Sequence, residues 1–336
     1  MADPAPALPG DVVRLPLPTP FAVGDVNCYL LRGDPLTVVD PGPNMLSATE
    51  ALESGLAEHG YAIEDVELVL LTHQHHDHAG LAGRIAGRAG AELAAIDPLA
   101  DYLADYERSM DHDDRFAVET MVMSGIERQV AVTLRTMSAA FRGFGHGADV
   151  GRRLRVGEAV EAGGRSLRVL FRPGHSPTDT VLLDEASGVM IGGDHLLERI
   201  SSNPIAHAPI GIEDPEGVAR SPDRPRALRT YIDSMRETHP LEVSLVLPGH
   251  GRPFAGAREL IDRRLEMHRR RAQKIRDALE RPMTAAEIAN VLWTNLPVAQ
   301  TYLALSEVLG HLDLLLEAGE AEVVHGDDGV VRYQPA

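Results

Sequence analysis

The stretch Thr72-His73-Gln74-His75-His76-Asp77-His78-Ala79-Gly80 follows the apolar run Leu68–Leu71 and has the pattern His-x-His-x-Asp-His. Neutral imidazole and carboxylate groups are ligands for borderline divalent metal ions. In an extended chain that leaves a strand, alternate residues point the same way, so His73 and His75 can share one ion. Asp77 and His78 follow where the chain turns into a helix, and they can serve a second ion. The stretch therefore predicts a site for two metal ions at the end of a strand.

Three later strand candidates are also followed by residues that can bind a metal ion. Each is followed within a few positions by a histidine or aspartate that stands beside a glycine, which lets the backbone approach closely. The residues concerned are His175 after Leu167–Phe171, Asp194 and His195 after Gly188–Ile191, and His250 after Val243–Leu247. Because open α/β proteins build their sites at the carboxyl ends of strands, we expect these side chains to gather around the first stretch.

Short runs of Val, Ile and Leu alternate with longer segments that have helical periodicity, which predicts a layered α/β fold. The other predicted strands are Val12–Leu17, Asn27–Leu31, Thr37–Asp40, Leu68–Thr72, Glu92–Ile96 and Thr180–Asp184. The predicted helices in the first half are Met45–His59, Ala79–Ala89 and Pro98–Tyr106.

In these motifs and their order, residues 11–255 resemble the metallo-β-lactamase fold hydrolases. The resemblance implies an αββα sandwich with its site at one edge. It also implies that His73, His75 and His175 hold one ion, that Asp77, His78 and His250 hold the other, and that Asp194 bridges the two. Asp40, in Val38-Val39-Asp40-Pro41-Gly42, resembles the family's early aspartate that braces the ligand loop, and His195 is a second candidate for such support.

Residues 97–150 have a helical pattern and lie between two strand candidates. A segment of this length is too long for a loop, so we interpret it as a helical insertion, either a lid over the site or a helix pair packed on the core. The loop Ser201–His207, just past Asp194, is expected to border the pocket.

Two further units are predicted after residue 255. Residues 256–281 form a helix with nine basic and five acidic side chains, and residues 282–336 resemble a small winged helix. In that second unit, Thr284 and Glu287 form a capping box, and a helix to about Leu292 precedes one from about Val298 to Ala318. A hairpin of Glu322–His325 and Val330–Tyr333 follows, with its turn at residues 327–329.

The predicted function is hydrolysis of a small ester, thioester or lactone by hydroxide that two Zn²⁺ ions activate, with Mn²⁺ or Fe as alternatives. Asp77 and Asp194 are the candidates for orienting the nucleophile and relaying its proton. The basic helix and the tail also resemble the branch typified by β-lactamase-like protein 2, which includes a ribonuclease, so a metal-dependent endoribonuclease is the alternative. A metal-binding scaffold without catalysis is the third hypothesis.

The net charge of −18 argues against nucleic acid as a general partner, and residues 282–336 contain one basic and eight acidic side chains. A positive metal centre in such a chain suits a small anionic substrate. The single Cys28 excludes an intrachain disulfide and favours the cytoplasm. No signal peptide or membrane segment is predicted. Apolar residues of the tail leave open a domain contact or a homodimer: Trp293, Leu314, Leu315 and Leu316.

Overall fold

The structure is a computed structural model that describes residues 6–297, 300–326 and 328–336. Its first sheet has six strands in sequential order. The first three strands pair antiparallel and the remaining pairs are parallel. The strands are β1 (Val12–Leu17), β2 (Val26–Leu31), β3 (Thr37–Val39), β4 (Leu68–Leu70), β5 (Glu92–Ile96) and β6 (Arg152–Leu154).

Helices connect the strands of this sheet, and two short 3-10 turns lie at Ile63–Asp65 and Arg142–Phe144. The connecting helices are α1 (Leu46–Glu58), α2 (His76–Ala79), α3 (Ala82–Ala89), α4 (Asp97–Ala104), α5 (Tyr106–Met123) and α6 (Arg128–Ala139). The segment predicted as a helical insertion is therefore helical, and α5 packs against both the loop region after residue 200 and the C-terminal helices.

The second sheet has five strands in the order β11-β10-β9-β8-β7, and only β10 and β11 are parallel neighbours. Its strands are β7 (Ala159–Ala162), β8 (Arg165–Phe171), β9 (Thr180–Asp184), β10 (Val189–Gly193) and β11 (Leu245–Pro248). Two helices, α7 (Pro215–Arg220) and α8 (Ala227–Thr238), lie between β10 and β11 in the chain.

The two sheets pack face to face. This is seen in β9 and β10, where successive side chains point alternately toward the first sheet and away from it. Leu182 of β9 and Ile191 of β10 belong to the core shared with the first sheet, whereas Leu183 and Met190 face a second core. That second core is closed by α8 and by α9 (Ala257–Ala278). Because successive strand residues point to opposite faces, one strand supplies both cores. The αββα sandwich is therefore confirmed.

A small C-terminal unit follows, built from β12 (Met283–Thr284), α10 (Ala285–Leu292), α11 (Thr301–Glu317), β13 (Ala321–His325) and β14 (Val331–Pro335). The capping box forms, because the Thr284 hydroxyl accepts from the Glu287 amide and the Glu287 carboxylate accepts from the Thr284 amide. Val298, at the predicted start of the last helix, and Asp327, in the predicted turn, lie outside the described residues. The winged-helix assignment stays a prediction.

The apolar tail residues that the sequence left between a domain contact and a dimer pack inside the chain. Leu315 is part of the C-terminal core, with Trp293 and Leu316 against it, and Leu314 packs on the core beneath α8. These side chains therefore need no second copy to cover them. Among the described residues, no helix is both long enough and apolar enough to cross a membrane.

Candidate metal centre

The metal-ligand stretch begins directly after β4. The chain stays extended through His75 and then enters the single-turn helix α2, which begins at His76. The carbonyl of Thr72 accepts from the Thr180 amide at 2.9 Å, which ties this loop to the second sheet. The stretch therefore lies where the edges of both sheets meet, as the strand-end argument predicts.

Three histidines meet on one side of this edge. We call His73, His75 and His175 the triple-histidine group. The Nδ1 atom of His75 lies 3.1 Å from Nε2 of His73 and 3.0 Å from Nε2 of His175. Each of the three offers one ring nitrogen within 4.8 Å of the other two, a spacing that one ion can bridge.

A second set lies beside it. We call Asp77, His78 and His250 the mixed group, and their ligand atoms also lie within 4.8 Å of one another. Nε2 of His250 is 3.3 Å from Oδ2 of Asp77. A carboxylate and two imidazoles form a second potential ligand set for a divalent ion.

Asp194 lies between the two groups. Its Oδ2 atom is 3.5 Å from Nε2 of His175 and 3.6 Å from Nε2 of His250, while its Oδ1 atom is 3.6 Å from Nε2 of His78. The position depends on a close backbone approach, because a Cβ atom on Gly249 would stand 2.3 Å from Oδ1 of Asp194. All seven residues that the sequence singled out as ligands are thus brought together, with Asp194 next to both groups.

The second nitrogen of four of these rings is anchored, and this fixes which nitrogen carries the proton. Nδ1 of His175 and Nδ1 of His250 face backbone carbonyls, those of Asn203 at 3.1 Å and Asp25 at 2.8 Å. A carbonyl only accepts, so both Nδ1 atoms donate, and the Nε2 lone pairs are free to bind a cation.

Asp40 orients two other ligands, His78 by a direct hydrogen bond and His73 through Thr72. Its Oδ2 accepts from the Thr72 hydroxyl at 2.6 Å and from Nδ1 of His78 at 2.9 Å, and its Oδ1 accepts from the Thr72 amide at 2.9 Å. Since the Thr72 proton is directed to Asp40, the Thr72 oxygen accepts from Nδ1 of His73 at 3.0 Å. Asp40 is a buried non-glycine residue with a positive φ of 53°, a conformation that aspartate and asparagine tolerate better than most.

The electrostatics of the centre fit cations. Burial and the neighbouring imidazoles lower the pKa of His73 and of His75 well below the ordinary value, so both rings are neutral. Burial alone would lower the pKa of His78, but the carboxylates of Asp194, Asp77 and Asp40 outweigh it and raise that pKa to about 10. The carboxylates around His78 therefore require positive charge, which a proton or metal ions can supply.

Two polar atoms of the centre support the same conclusion. Nε2 of His78 and Oδ1 of Asp194 are fully buried and have no hydrogen-bond partner. Unpartnered buried polar atoms cost free energy and are rare. Both atoms are metal-ligand types and they face each other, so the residues present fit divalent ions.

His195 lies apart from these ligands. Its Nε2 atom is 2.9 Å from the Thr238 hydroxyl, and its ring packs against Tyr231 in the second core. Its backbone carbonyl accepts from the Tyr231 hydroxyl at 2.8 Å, which holds the turn after Asp194. Any support that His195 gives to the metal ligands is therefore through this turn, and that role stays a prediction.

Sequence reasoning missed residues that position His250. The Asn27 side chain donates to the carbonyl of Pro248 at 2.7 Å and to that of Gly251 at 3.0 Å. The Tyr29 hydroxyl donates to the same Pro248 carbonyl at 2.8 Å. The available signal was a polar residue, Asn27, inside a strand that is buried along its whole length.

One more cluster has ligand-type residues, at the contact of α9 and α11. His268, Glu307 and His311 are buried and close together, but Arg271 pairs with the Glu307 carboxylate and supplies the positive charge there. Nδ1 of His311 donates to the Glu307 carbonyl at 2.7 Å, and its Nε2 then accepts from Nδ1 of His268 at 3.2 Å. These contacts join the helices without an ion.

Comparisons with known proteins cover nearly the whole chain. Residues 22–250 match the family described as the Metallo-beta-lactamase superfamily, and residues 272–336 match the one described as Metallo-beta-lactamase-like, C-terminal domain. Probable metallo-hydrolase YqjP of Bacillus subtilis is 35% identical over 325 residues, 96% of this chain and 98% of the relative.

Two further similarities agree with this. The Beta-lactamase-like protein 2 homolog of Caenorhabditis elegans is 24% identical over 318 residues, 92% of this chain and 84% of the relative. The crystal structure of a Beta-lactamase domain protein from Burkholderia ambifaria aligns with a TM-score of 0.82 at 32% identity, and the alignment covers 100% of this chain and 97% of the other.

Proposed function

Since this chain belongs to the metallo-β-lactamase superfamily and is a metal-dependent hydrolase, we propose that it holds two Zn²⁺ ions and hydrolyses a small ester, thioester or lactone. The observation that carries the proposal is the position of Asp194, whose carboxylate lies within 3.6 Å of nitrogens from both ligand groups. Residues 11–255 would form the catalytic domain with its insertion at 97–150, residues 256–281 a linking helix, and residues 282–336 a winged-helix-like unit.

In this proposal the triple-histidine group would hold one ion and the mixed group the other, with Asp194 as a ligand available to both. The ions would polarise the oxygen of the scissile bond and lower the pKa of water so that hydroxide is available at neutral pH. The protein's own contribution is to fix the ligands through their second nitrogens and to keep bulk water away from the buried centre.

Asp77 is the residue that we assign to orient the attacking water by accepting a hydrogen bond from it and to relay its proton. It is 9% exposed, compared with 6% for Asp194 and 2% for Asp40, so it is the carboxylate of the centre that water reaches most easily. Burial would raise the pKa of Asp77, but before ions bind the charged rings of His78 and His250 outweigh burial and hold that pKa well below the ordinary value. Bound cations would have the same effect on this pKa, so the group is an anion that accepts hydrogen bonds. Asp194 would share this role by orienting the same water.

Charge favours an electron-rich substrate group at the ions. Five neutral histidines and two carboxylates leave two divalent ions with net positive charge, in a chain whose formal net charge is −18. A carbonyl oxygen, or the anionic end of a small molecule, is therefore attracted to this point.

The contacts of α9 weaken the alternative of an endoribonuclease. Arg271 pairs with Glu307 and Arg276 with Glu320, both in the C-terminal unit, and Arg264 donates to backbone carbonyls of the loop after Asp194. These cations are already satisfied within the chain, so they do not form an open track for phosphates.

The test combines metal analysis with a substrate panel. The full chain, loaded with zinc, is assayed on small esters, thioesters, lactones and single-stranded RNA, together with Asp77→Asn and with Asp101→Asn, an exposed residue on α4, as the matched control. We expect about two ions per chain and acyl hydrolysis that falls about 10²- to 10⁴-fold in Asp77→Asn only. RNA cleavage with every acyl substrate inert, or less than one ion per chain, would overturn the proposal.

A further inference from the structure

A cavity of about 220 Å³ opens onto the triple-histidine group. His75 and His175 form part of its wall, together with neighbouring residues of their two loops and Tyr102 of α4. Other parts of the wall come from α5, from the loop after Asp194 and from α11. Pockets for drug-sized ligands are usually about 300–1,000 Å³, so this cavity fits a short chain of atoms. It is the space next to the proposed ions in which one arm of a substrate can lie.

One polar group of this cavity is His207, in the loop after Asp194. Its Nδ1 atom lies 3.0 Å from the carbonyl of Ala208, and because a carbonyl only accepts, Nδ1 carries the proton. Burial lowers the pKa of His207, so the ring is neutral. Its Nε2 atom is therefore a hydrogen-bond acceptor.

Asp113 of α5 is another polar group of the cavity. The hydroxyl of Tyr102 donates to its Oδ2 atom at 2.9 Å, which fixes the carboxyl in place. Burial raises the pKa of Asp113 to about 7, and no lysine or arginine is among the residues that line the cavity. Asp113 therefore offers acceptor oxygens to a donor in the cavity, and Arg142, whose charge acts on Asp113, pairs with the neighbouring Asp114 and does not line the cavity.

Other polar atoms that line the cavity already have partners. The Tyr302 hydroxyl donates to the carbonyl of Ala206 at 2.6 Å, and the Ser176 hydroxyl donates to Asp179 at 2.7 Å. The Gln74 carbonyl oxygen accepts from the Thr178 hydroxyl. The remaining wall includes the apolar side chains Met110, Ala117, Pro177 and Ile205.

We propose, on the basis of the proposed function, that this cavity selects a short acyl arm bearing an O–H or N–H donor, which binds Asp113 and His207. Where Asp113 is ionised, above its pKa, the same acceptors reject an arm that ends in a carboxylate or phosphate, because two electron-rich groups then face each other without a shared proton. Any anionic end of the substrate then belongs at the ions, away from this cavity. Asp113 and His207 are specificity-determining residues in this account.

The test uses four thioesters of N-acetylcysteamine with the zinc-loaded full chain: butyryl, 3-hydroxybutyryl, 3-aminobutyryl and succinyl. We expect kcat/KM for the hydroxyl or the amino substrate to exceed that for butyryl by about tenfold to a hundredfold, because the plain chain would displace water from these acceptors without replacing its hydrogen bonds. Above pH 8, where Asp113 is ionised, succinyl is expected to be the poorest substrate. Comparison of the hydroxyl with the amino substrate identifies which donor the site takes.

Variants of the cavity residues test which side chains cause the preference for a substrate that carries a donor. Asp113→Asn and His207→Phe are each expected to reduce the ratio of hydroxybutyryl to butyryl kcat/KM toward one. Asp111→Asn, on the same helix and outside the cavity lining, is the matched control and should keep the wild-type ratio. A ratio that stays at the wild-type value in both cavity variants would refute the assignment of these residues.

A binding measurement separates this inference from the proposed function. Calorimetry compares two thioethers that cannot be hydrolysed, S-(3-hydroxybutyl)- and S-butyl-N-acetylcysteamine, on the wild-type chain, so that no variant has to fold. Tighter binding of the hydroxyl compound supports the cavity even if no thioester is hydrolysed. Equal hydrolysis of all four thioesters together with equal binding of both thioethers would overturn the inference and leave the proposed function standing.

Discussion

Replacement of Asp40 by asparagine tests how the buried hydrogen bonds prepare the metal centre. Asparagine tolerates the positive φ of this position, so the backbone is retained. The amide oxygen can still accept from the Thr72 amide, as Oδ1 does at 2.9 Å. The amide NH₂, however, would face two donors, the Thr72 hydroxyl and Nδ1 of His78.

The loss of metal affinity in Asp40→Asn depends on which hydrogen bonds can form again in the variant. The Thr72 hydroxyl can rotate and accept from the new NH₂ group, but Nδ1 of His78 cannot do so while its Nε2 binds an ion. One hydrogen bond to a charged group is lost, which costs about 1.5–3 kcal/mol. Since about 1.4 kcal/mol is a factor of ten, we expect the ion of the mixed group to bind about 10- to 150-fold more weakly.

The assay is a competition titration of the metal-free protein with zinc and a chromophoric chelator, which resolves the two dissociation constants. Asp101→Asn, an exposed aspartate on α4, is the control and should leave both constants unchanged. The expected result for Asp40→Asn is a weaker second site with a smaller change at the triple-histidine group. Two dissociation constants within twofold of the wild type would show that Asp40 does not support the ligands, and the reasoning would be refuted.

Three other perturbations have defined outcomes. Gly249→Ala should abolish metal binding at one or both sites, because the new Cβ would stand 2.3 Å from Oδ1 of Asp194. The control is Gly87→Ala, where a Cβ meets no atom within 4 Å and metal binding should be retained. Metal analysis of the purified variants measures both outcomes. Burial lowers the pKa of His268 to about 3, so below pH 6.5 the unfolded chain binds more protons than the folded chain. Between pH 7.5 and pH 5, the free energy of unfolding measured in urea should therefore fall by about 2 kcal/mol more in the wild type than in His268→Gln. Equal decreases in the two proteins would contradict this prediction. Thr284→Ala should lower the free energy of unfolding by about 1 kcal/mol through loss of the helix cap, and an unchanged urea midpoint would count against it.

Much of the fold was predictable because its signals are local. Strands such as β1, β5 and β9 have the predicted bounds, since a buried strand bounded by turn residues is visible in one short window. The strand β7 and the helix α8 were not predicted. Strand β7 has only four residues and alternates with exposed positions, but α8 places Leu228, Tyr231, Ile232 and Met235 on one buried face, a helical period that was available in the sequence.

In the metal centre, too, some residues could be predicted from the sequence and others could not. The seven potential ligands could be picked out from two signals. Four belong to the His-x-His-x-Asp-His pattern after β4, and His175, Asp194 and His250 stand beside glycine at the ends of later strands. Of the groups that orient them, Asp40 was expected from the family resemblance. The carbonyls of Asp25 and Asn203 could not be predicted, because they belong to the backbone and have no signature in the side-chain sequence. For the cavity, the loop Ser201–His207 was expected to border the pocket, and Ile205, Ala206 and His207 line it. Asp113 and Tyr302 could not be predicted, since they come from segments that only the tertiary fold brings to the centre.

The central claim is that seven side chains hold two metal ions that share Asp194. The direct measurement is an anomalous diffraction map from crystals of the full chain grown with zinc and recorded at the zinc absorption edge. Two peaks are expected, one within ligand distance of the triple-histidine group and one within ligand distance of the mixed group, with Asp194 in contact with both. A single peak, or two peaks of which neither contacts Asp194, would contradict it.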